Sequence, residues 1–205
     1  MDIKLDTFHY DALNEVGNIG MGNATTALSQ LVGKGVRVSI PTLMVVDIES
    51  IKEQTGQMGV LGIILRLVGD INGGYMFLFQ QKHAESLVDM LLIYTDHADD
   101  AEMRKSVLNE VANILAGSYL TALSKFLDIS VLPSIPYQTQ GSISDIFKLA
   151  DKRLNCKINH ILALTTMFEI ENENTCLTVD GDMFLLLDSK SINTLLGRID
   201  RMRNV

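Results

Sequence analysis

A carboxylate and a carboxamide three residues apart occur twice in this chain, as Glu15 with Asn18 and as Glu110 with Asn113. A small polar residue, Asp11 or Ser106, stands four positions before each glutamate. At about 100° per residue the three positions share one helical stripe, and Glu and Asn are separated by about 4.5 Å along the axis. An amide orients a water through hydrogen bonds, and a carboxylate pairs with a cation. The sequence offers no nucleophile with an adjacent His base, and His9, His83, His97 and His160 are scattered rather than set at a metal-ligand spacing. A bare Glu/Asn pair suffices only for a substrate that is already reactive and brings its own metal. A protein aspartyl-phosphate is such a substrate: it is an acyl phosphate, and its hydrolysis is mainly positioning and electrostatics.

The pairs sit inside a repeat. Residues 13–29 read LNEVGNIGMGNATTALS and residues 108–124 read LNEVANILAGSYLTALS, with 11 of 17 positions identical at an offset of 95. Average residue frequencies of ~6% would give about one match. The offset continues to Pro41 and Pro136, each 23 residues beyond its asparagine. A second match, Ile71–Phe79 with Val179–Leu187, is 108 apart, which implies 13 extra residues in the second half. The expected organisation is one domain over residues 1–205, made of two homologous halves, about 1–97 and 98–205, related by a pseudo-twofold axis. A polar stripe on a helix is ordinarily a solvated face. Asn is a poor helix former, however, and its retention in both copies together with Glu points to function.

Apolar spacing predicts long helices over about 7–32 and 100–127, with Leu13, Val16, Leu28 and Leu31 on the inner face of the first. Asp6 or Thr7 and Asp99 or Asp100 can cap them, and Gly33 can stop the first. Gly22 and Gly117 are expected at a close helix crossing. Gly17 and Gly20 follow no strand and open no GxxxxGK[ST], so a phosphate-cradling loop is excluded. Strands are expected at 36–40 and 129–132, hairpins at 59–69/74–80 around Asn72-Gly73 and at 160–170/175–187 with Asn172-Glu173-Asn174 as the turn, and closing helices near 82–93 and 189–203. The fold class expected is α+β, with a mostly antiparallel sheet and the two motif-bearing helices packed together. Ser142-Ile143-Ser144-Asp145 opens a further helix whose apolar residues Ile143, Ile146, Phe147, Ala150 and Leu154 form one stripe. It looks unduplicated, and either lies on the sheet or docks a partner.

With 17 Lys+Arg against 25 Asp+Glu, a net charge of −8 and no basic run, the chain lacks the footprint of a nucleic-acid binder. No stretch approaches the ~18 apolar residues of a membrane span. The start, MDIKLDTFHYD, has no apolar core of a secretory signal, and Cys156 and Cys176 form no CxxC. A cytoplasmic protein with reduced thiols, no bound metal and no membrane insertion is expected.

The pattern D/S-x3-E-x2-N-x22-P resembles the signature of the CheC/CheX/FliY phosphatases of bacterial chemotaxis, and most resembles its CheC branch. It is present twice: Asp11, Glu15, Asn18, Pro41, and Ser106, Glu110, Asn113, Pro136. The resemblance implies hydrolysis of the aspartyl-phosphate of CheY. Asn18 and Asn113 would align the attacking water, and Glu15 and Glu110 would pair with a lysine of CheY. Asp11 and Ser106 would support the interface, and Pro41 and Pro136 would set the turn from loop into strand. No cofactor is implied on this chain, since Mg²⁺ would belong to CheY. CheD is implied as a second partner, with Ile143, Ile146 and Phe147 as its anchors if their stripe is exposed. The rival reading is a non-catalytic, flagellar-switch-like module that sequesters phosphorylated regulator.

Overall fold

The first long helix, α1 (Thr7–Val32), begins where the Asp6 side chain accepts the His9 backbone N–H at 3.1 Å, while His9 Nδ1 accepts that of Asp6 at 3.3 Å. It ends at Gly33, left-handed at φ 68°, whose N–H donates to the Ser29 carbonyl. A computed structural model describes residues 5–33, 35–39, 42–46, 51, 59–92, 99–172 and 175–203. Chain order continues with β1 (Val36–Val38), β2 (Thr42–Val46), β3 (Val60–Gly69), β4 (Gly73–Gln80) and α2 (Gln81–Leu92). The second half runs α3 (Ala101–Leu127), β5 (Val131–Pro133), β6 (Tyr137–Gly141), α4 (Ile143–Leu154), β7 (His160–Asn172), β8 (Thr175–Leu187) and α5 (Ser189–Arg203). Asp100 caps α3 by accepting the Glu102 and Met103 N–H groups.

The described strands form one eight-stranded antiparallel sheet, and the halves are interlocked within it. β1 and β2 of the first half both pair with β7, and β5 and β6 of the second both pair with β3. β4 and β8, one from each half, pair at the centre. Each half thus lends its opening strands to the other's hairpin, so neither half carries a complete sheet of its own.

Register also locates the extra residues of the second half. Thr42 faces Thr165, and its counterpart 95 residues on, Tyr137, faces Ile64, so Ile64 corresponds to Thr165, 101 residues later. Ile64 pairs with Met76 and Thr165 with Asp182, which sets β4 and β8 106 apart rather than the 108 expected from residue identity. The added chain lies before β7 and in the β7–β8 hairpin, which runs four residue pairs past Phe168–Val179 to Asn172–Thr175. Of the expected turn Asn172-Glu173-Asn174, Asn172 is instead the last residue of β7, paired with Thr175 because the longer hairpin extends the ladder, while Glu173 and Asn174 lie outside the described residues, as does Pro41.

Both sheet faces are covered, which is why β4 reads as a continuous apolar run. Tyr75, Phe77 and Phe79 point into the core shared with α1, α2, α3 and α5. Met76 and Leu78 point into a second core under α4. Ile143, Ile146, Phe147, Ala150 and Leu154 are all buried there, Phe147 edge-on to Phe184 at 6.0 Å. The seat is tight: a Cβ at Gly62 would lie 2.7 Å from Ile146 Cγ2. Ile51, helical and buried in the same cluster, stands 95 residues before Ile146.

Two details of α1 differ from expectation. Leu13, Val16 and Leu28 are buried, but Leu31 is 49% exposed on the last turn. The close crossing of α1 and α3 is at Gly20, where a Cβ would come within 2.8 Å of the Tyr119 Cα. Added Cβ atoms at Gly22 and Gly117 would meet nothing within 4 Å. Backbone contact needs the missing side chain only on the facing side of the helix, and Gly22 and Gly117 are turned away from it.

Candidate active site

Asp11, Glu15 and Asn18 on α1, and Ser106, Glu110 and Asn113 on α3, are all exposed. Their neighbours toward the core, Leu13 and Val16 on one helix and Leu108, Val111 and Ala112 on the other, are buried. Amphipathic spacing therefore turns each polar triad outward as a ridge on a helix held from behind. Among the described residues none of the six side chains is engaged in a hydrogen bond or ion pair. A carboxamide left free in this way keeps both its donor and its acceptor for an incoming molecule.

The Gly20–Tyr119 contact sits two residues beyond Asn18 and six beyond Asn113, so one crossing locks the relative placement of both ridges. Beside the second ridge is a hollow of about 210 Å³ lined by Ser106, Val107 and Glu110, with Leu31 of α1 and Leu91 of α2. The exposed Leu31 belongs to its wall. Larger hollows of about 320 Å³ and 610 Å³ lie elsewhere, and neither is lined by a motif residue. Among the described residues no three His, Cys, Asp or Glu side chains converge as metal ligands would.

Other expected positions fall as follows. Pro136 is half-buried and directly precedes β6, while Pro41 is outside the described residues. Ile143, Ile146 and Phe147 are 2%, 1% and 3% exposed, so they are not available as anchors for CheD or any other partner. Their spacing marks a buried stripe because the sheet's second face needs a cover. Cys156 is a free thiol whose pKa is raised by burial. No described helix is long and apolar enough to cross a membrane.

One contact at the site has no counterpart among the expected residues. Gln138, second in β6, donates through Nε2 to the Lys105 carbonyl at 2.7 Å and to Asn109 Oδ1 at 2.9 Å. The only signal for it in the sequence is a difference between the copies: the residue 95 earlier is Leu43.

The CheC-like family model matches this chain at residues 8–45 and 103–136, which cover both motifs. The protein named CheY-P phosphatase CheC in Bacillus subtilis (strain 168) is 28% identical over 192 residues, covering 90% of each chain. The flagellar motor switch phosphatase FliY of the same organism is 27% identical over 133 residues, which are 62% of this chain and 35% of FliY. Among solved structures, Thermotoga maritima FliY superimposes with a TM-score of 0.72 at 18% identity, covering 97% of this chain and 99% of that one. The twice-matched motif, the likeness along nearly the full chain and the similar fold agree in one direction: this chain is similar to proteins of the CheC-like family.

Proposed function

We propose that this protein is a phosphatase that hydrolyses the aspartyl-phosphate of the chemotaxis response regulator CheY. The observation that carries the reading is the pair of exposed, unengaged Glu/Asn ridges on sister helices. A relative named CheY-P phosphatase CheC, alike over 90% of both chains, supports it. Asn18 or Asn113 enters the regulator's acidic pocket, and its amide holds a water in line with the phosphorus. The water oxygen bonds to phosphorus as the bond to the aspartyl oxygen breaks, giving phosphate and a free carboxylate. A carboxylate is a good leaving group at neutral pH, so no general acid is required of this chain. Glu15 or Glu110, one turn back, pairs with a lysine on the regulator and sets the register. Mg²⁺ belongs to CheY, where it neutralises phosphoryl charge.

Asp11 and Ser106 support the interface in this proposal, and Pro136, with Pro41 in the first half, directs the strand that follows. Such an enzyme works in the cytoplasm, with its regulator. CheD remains the second partner in the same proposal, docked on a surface other than the buried stripe of α4.

Turnover separates hydrolysis from sequestration. Substoichiometric protein added to labelled CheY-phosphate is expected to release many equivalents of phosphate. A sequestering module would leave the phosphate on CheY or lengthen its lifetime, and that result would overturn the proposal.

A further inference from the structure

Resting on the phosphatase reading, we infer that Gln138 is a positioning residue for the second site. It is a fork from the sheet that holds the turn of α3 carrying Ser106 and Glu110. The Lys105 carbonyl only accepts, so the Gln138 group facing it is its NH₂, and both hydrogens of that group are used, at 2.7 Å and 2.9 Å. The two acceptors lie on either side of Ser106 and end next to Glu110. Gln138 is itself held by register, opposite Ile63 in β3, and follows the motif proline Pro136 by two residues. The proline thus launches a strand whose second residue fastens the motif helix.

The first half serves as an internal control. Leu43, 4% exposed in the core, occupies the place of Gln138 in the repeat. Asn14, the counterpart of Asn109, has a buried Oδ1 without a hydrogen-bond partner among the described residues. The asparagine before each catalytic glutamate is therefore fastened in one half and idle in the other. Loosening the fork frees the first turns of α3 before it reaches Asn113. The expected signature is weaker engagement of the regulator with little change in water alignment.

The test isolates each site by silencing the other. In an Asn18→Ala background, where only the second site acts, Gln138→Leu is expected to raise KM for CheY-phosphate by roughly three- to ten-fold, the factor of about one net hydrogen bond. kcat should change less. Asn109→Leu should do the same, and combining the two should add little, since both remove one fork. In an Asn113→Ala background neither substitution should alter the first site, and Asn14→Leu should leave it unchanged. Equal losses in both backgrounds, or in neither, would overturn the inference. Amide hydrogen exchange reads the fork without any catalysis: Gln138→Leu should speed exchange over residues 105–110 and leave residues 10–15 as they were. Unaltered exchange there would refute the fork, whereas failure of the wild-type protein to release phosphate catalytically from CheY-phosphate would instead refute the phosphatase reading.

Discussion

The two halves present the same ridge but support it differently. Asp11-Glu15-Asn18 and Ser106-Glu110-Asn113 are both exposed and unengaged. Behind them, Gly20 stands where the second copy has Leu115, which is fully buried. Leu43 stands where the second copy has Gln138, and Asp6 is tied to α5 in a way that no described contact repeats for Asp100. Duplication thus preserved the outward chemistry while the packing beneath it diverged. A ridge needs particular functional groups at particular spacings. A core needs only the right volume and satisfied polar atoms, which several residue choices supply.

The largest expected effect comes from treating the ridges as independent sites. Asn18→Ala or Asn113→Ala alone should lower the output of its own site by about 100-fold or more, the scale of a positioned water lost. The other half should carry the remaining turnover, so residual rates of the two single variants give each site's share. If one single substitution alone removes all activity, the halves are not parallel sites. Smaller is the Glu15→Ala/Glu110→Ala variant. Loss of a charge-assisted contact of about 1.5–3 kcal/mol at each site should raise KM by roughly ten-fold or more, read by steady-state phosphate release.

The crossing itself can be probed by stability. Gly20→Ala pushes a methyl group into the Tyr119 backbone and should cost about 1–3 kcal/mol by overpacking. Gly22→Ala faces open space and should gain up to about 1 kcal/mol from helix propensity. Denaturant titration of the two variants should move the midpoint in opposite directions, and equal shifts would place the crossing elsewhere.

The smallest effect concerns the tie between α1 and α5. The Arg203 guanidinium, 2.6 Å from the Asp6 carboxylate, and the His9 backbone N–H lower the Asp6 pKa to about 2. A depressed carboxyl stabilises the fold above its unfolded pKa, near 4, and loses that contribution as pH falls through about 2. Melting points of wild type and Asp6→Asn should differ modestly at pH 6 and converge toward pH 2. A constant difference would show that the charge is not the source.

Much of this arrangement was legible in the chain. The repeat announced two equivalent helices, Asp6, Asp100, Gly33 and Ser142 bounded helices by local capping chemistry, and Asn72-Gly73 bounded a hairpin. What escaped was non-local. Tyr137–Gly141 reads YQTQG, with little apolar alternation, and becomes a strand because β3 offers it a partner. Nothing local says that β1 and β2 join the other half's hairpin. The stripe Ile143-Ile146-Phe147 was visible as a stripe, but spacing alone does not say whether sheet or partner covers it. Gln138 was invisible for a related reason, since a fork between strand and helix leaves no periodic trace.

The central claim is that two outward carboxamides steer water onto a phosphoryl group carried by another protein. Its most direct test is phosphate release from labelled CheY with wild-type protein and with Asn18→Ala/Asn113→Ala, alongside a binding measurement on both. The account predicts that the double variant still binds but releases phosphate no faster than CheY does alone. Wild-type release by the double variant would contradict it.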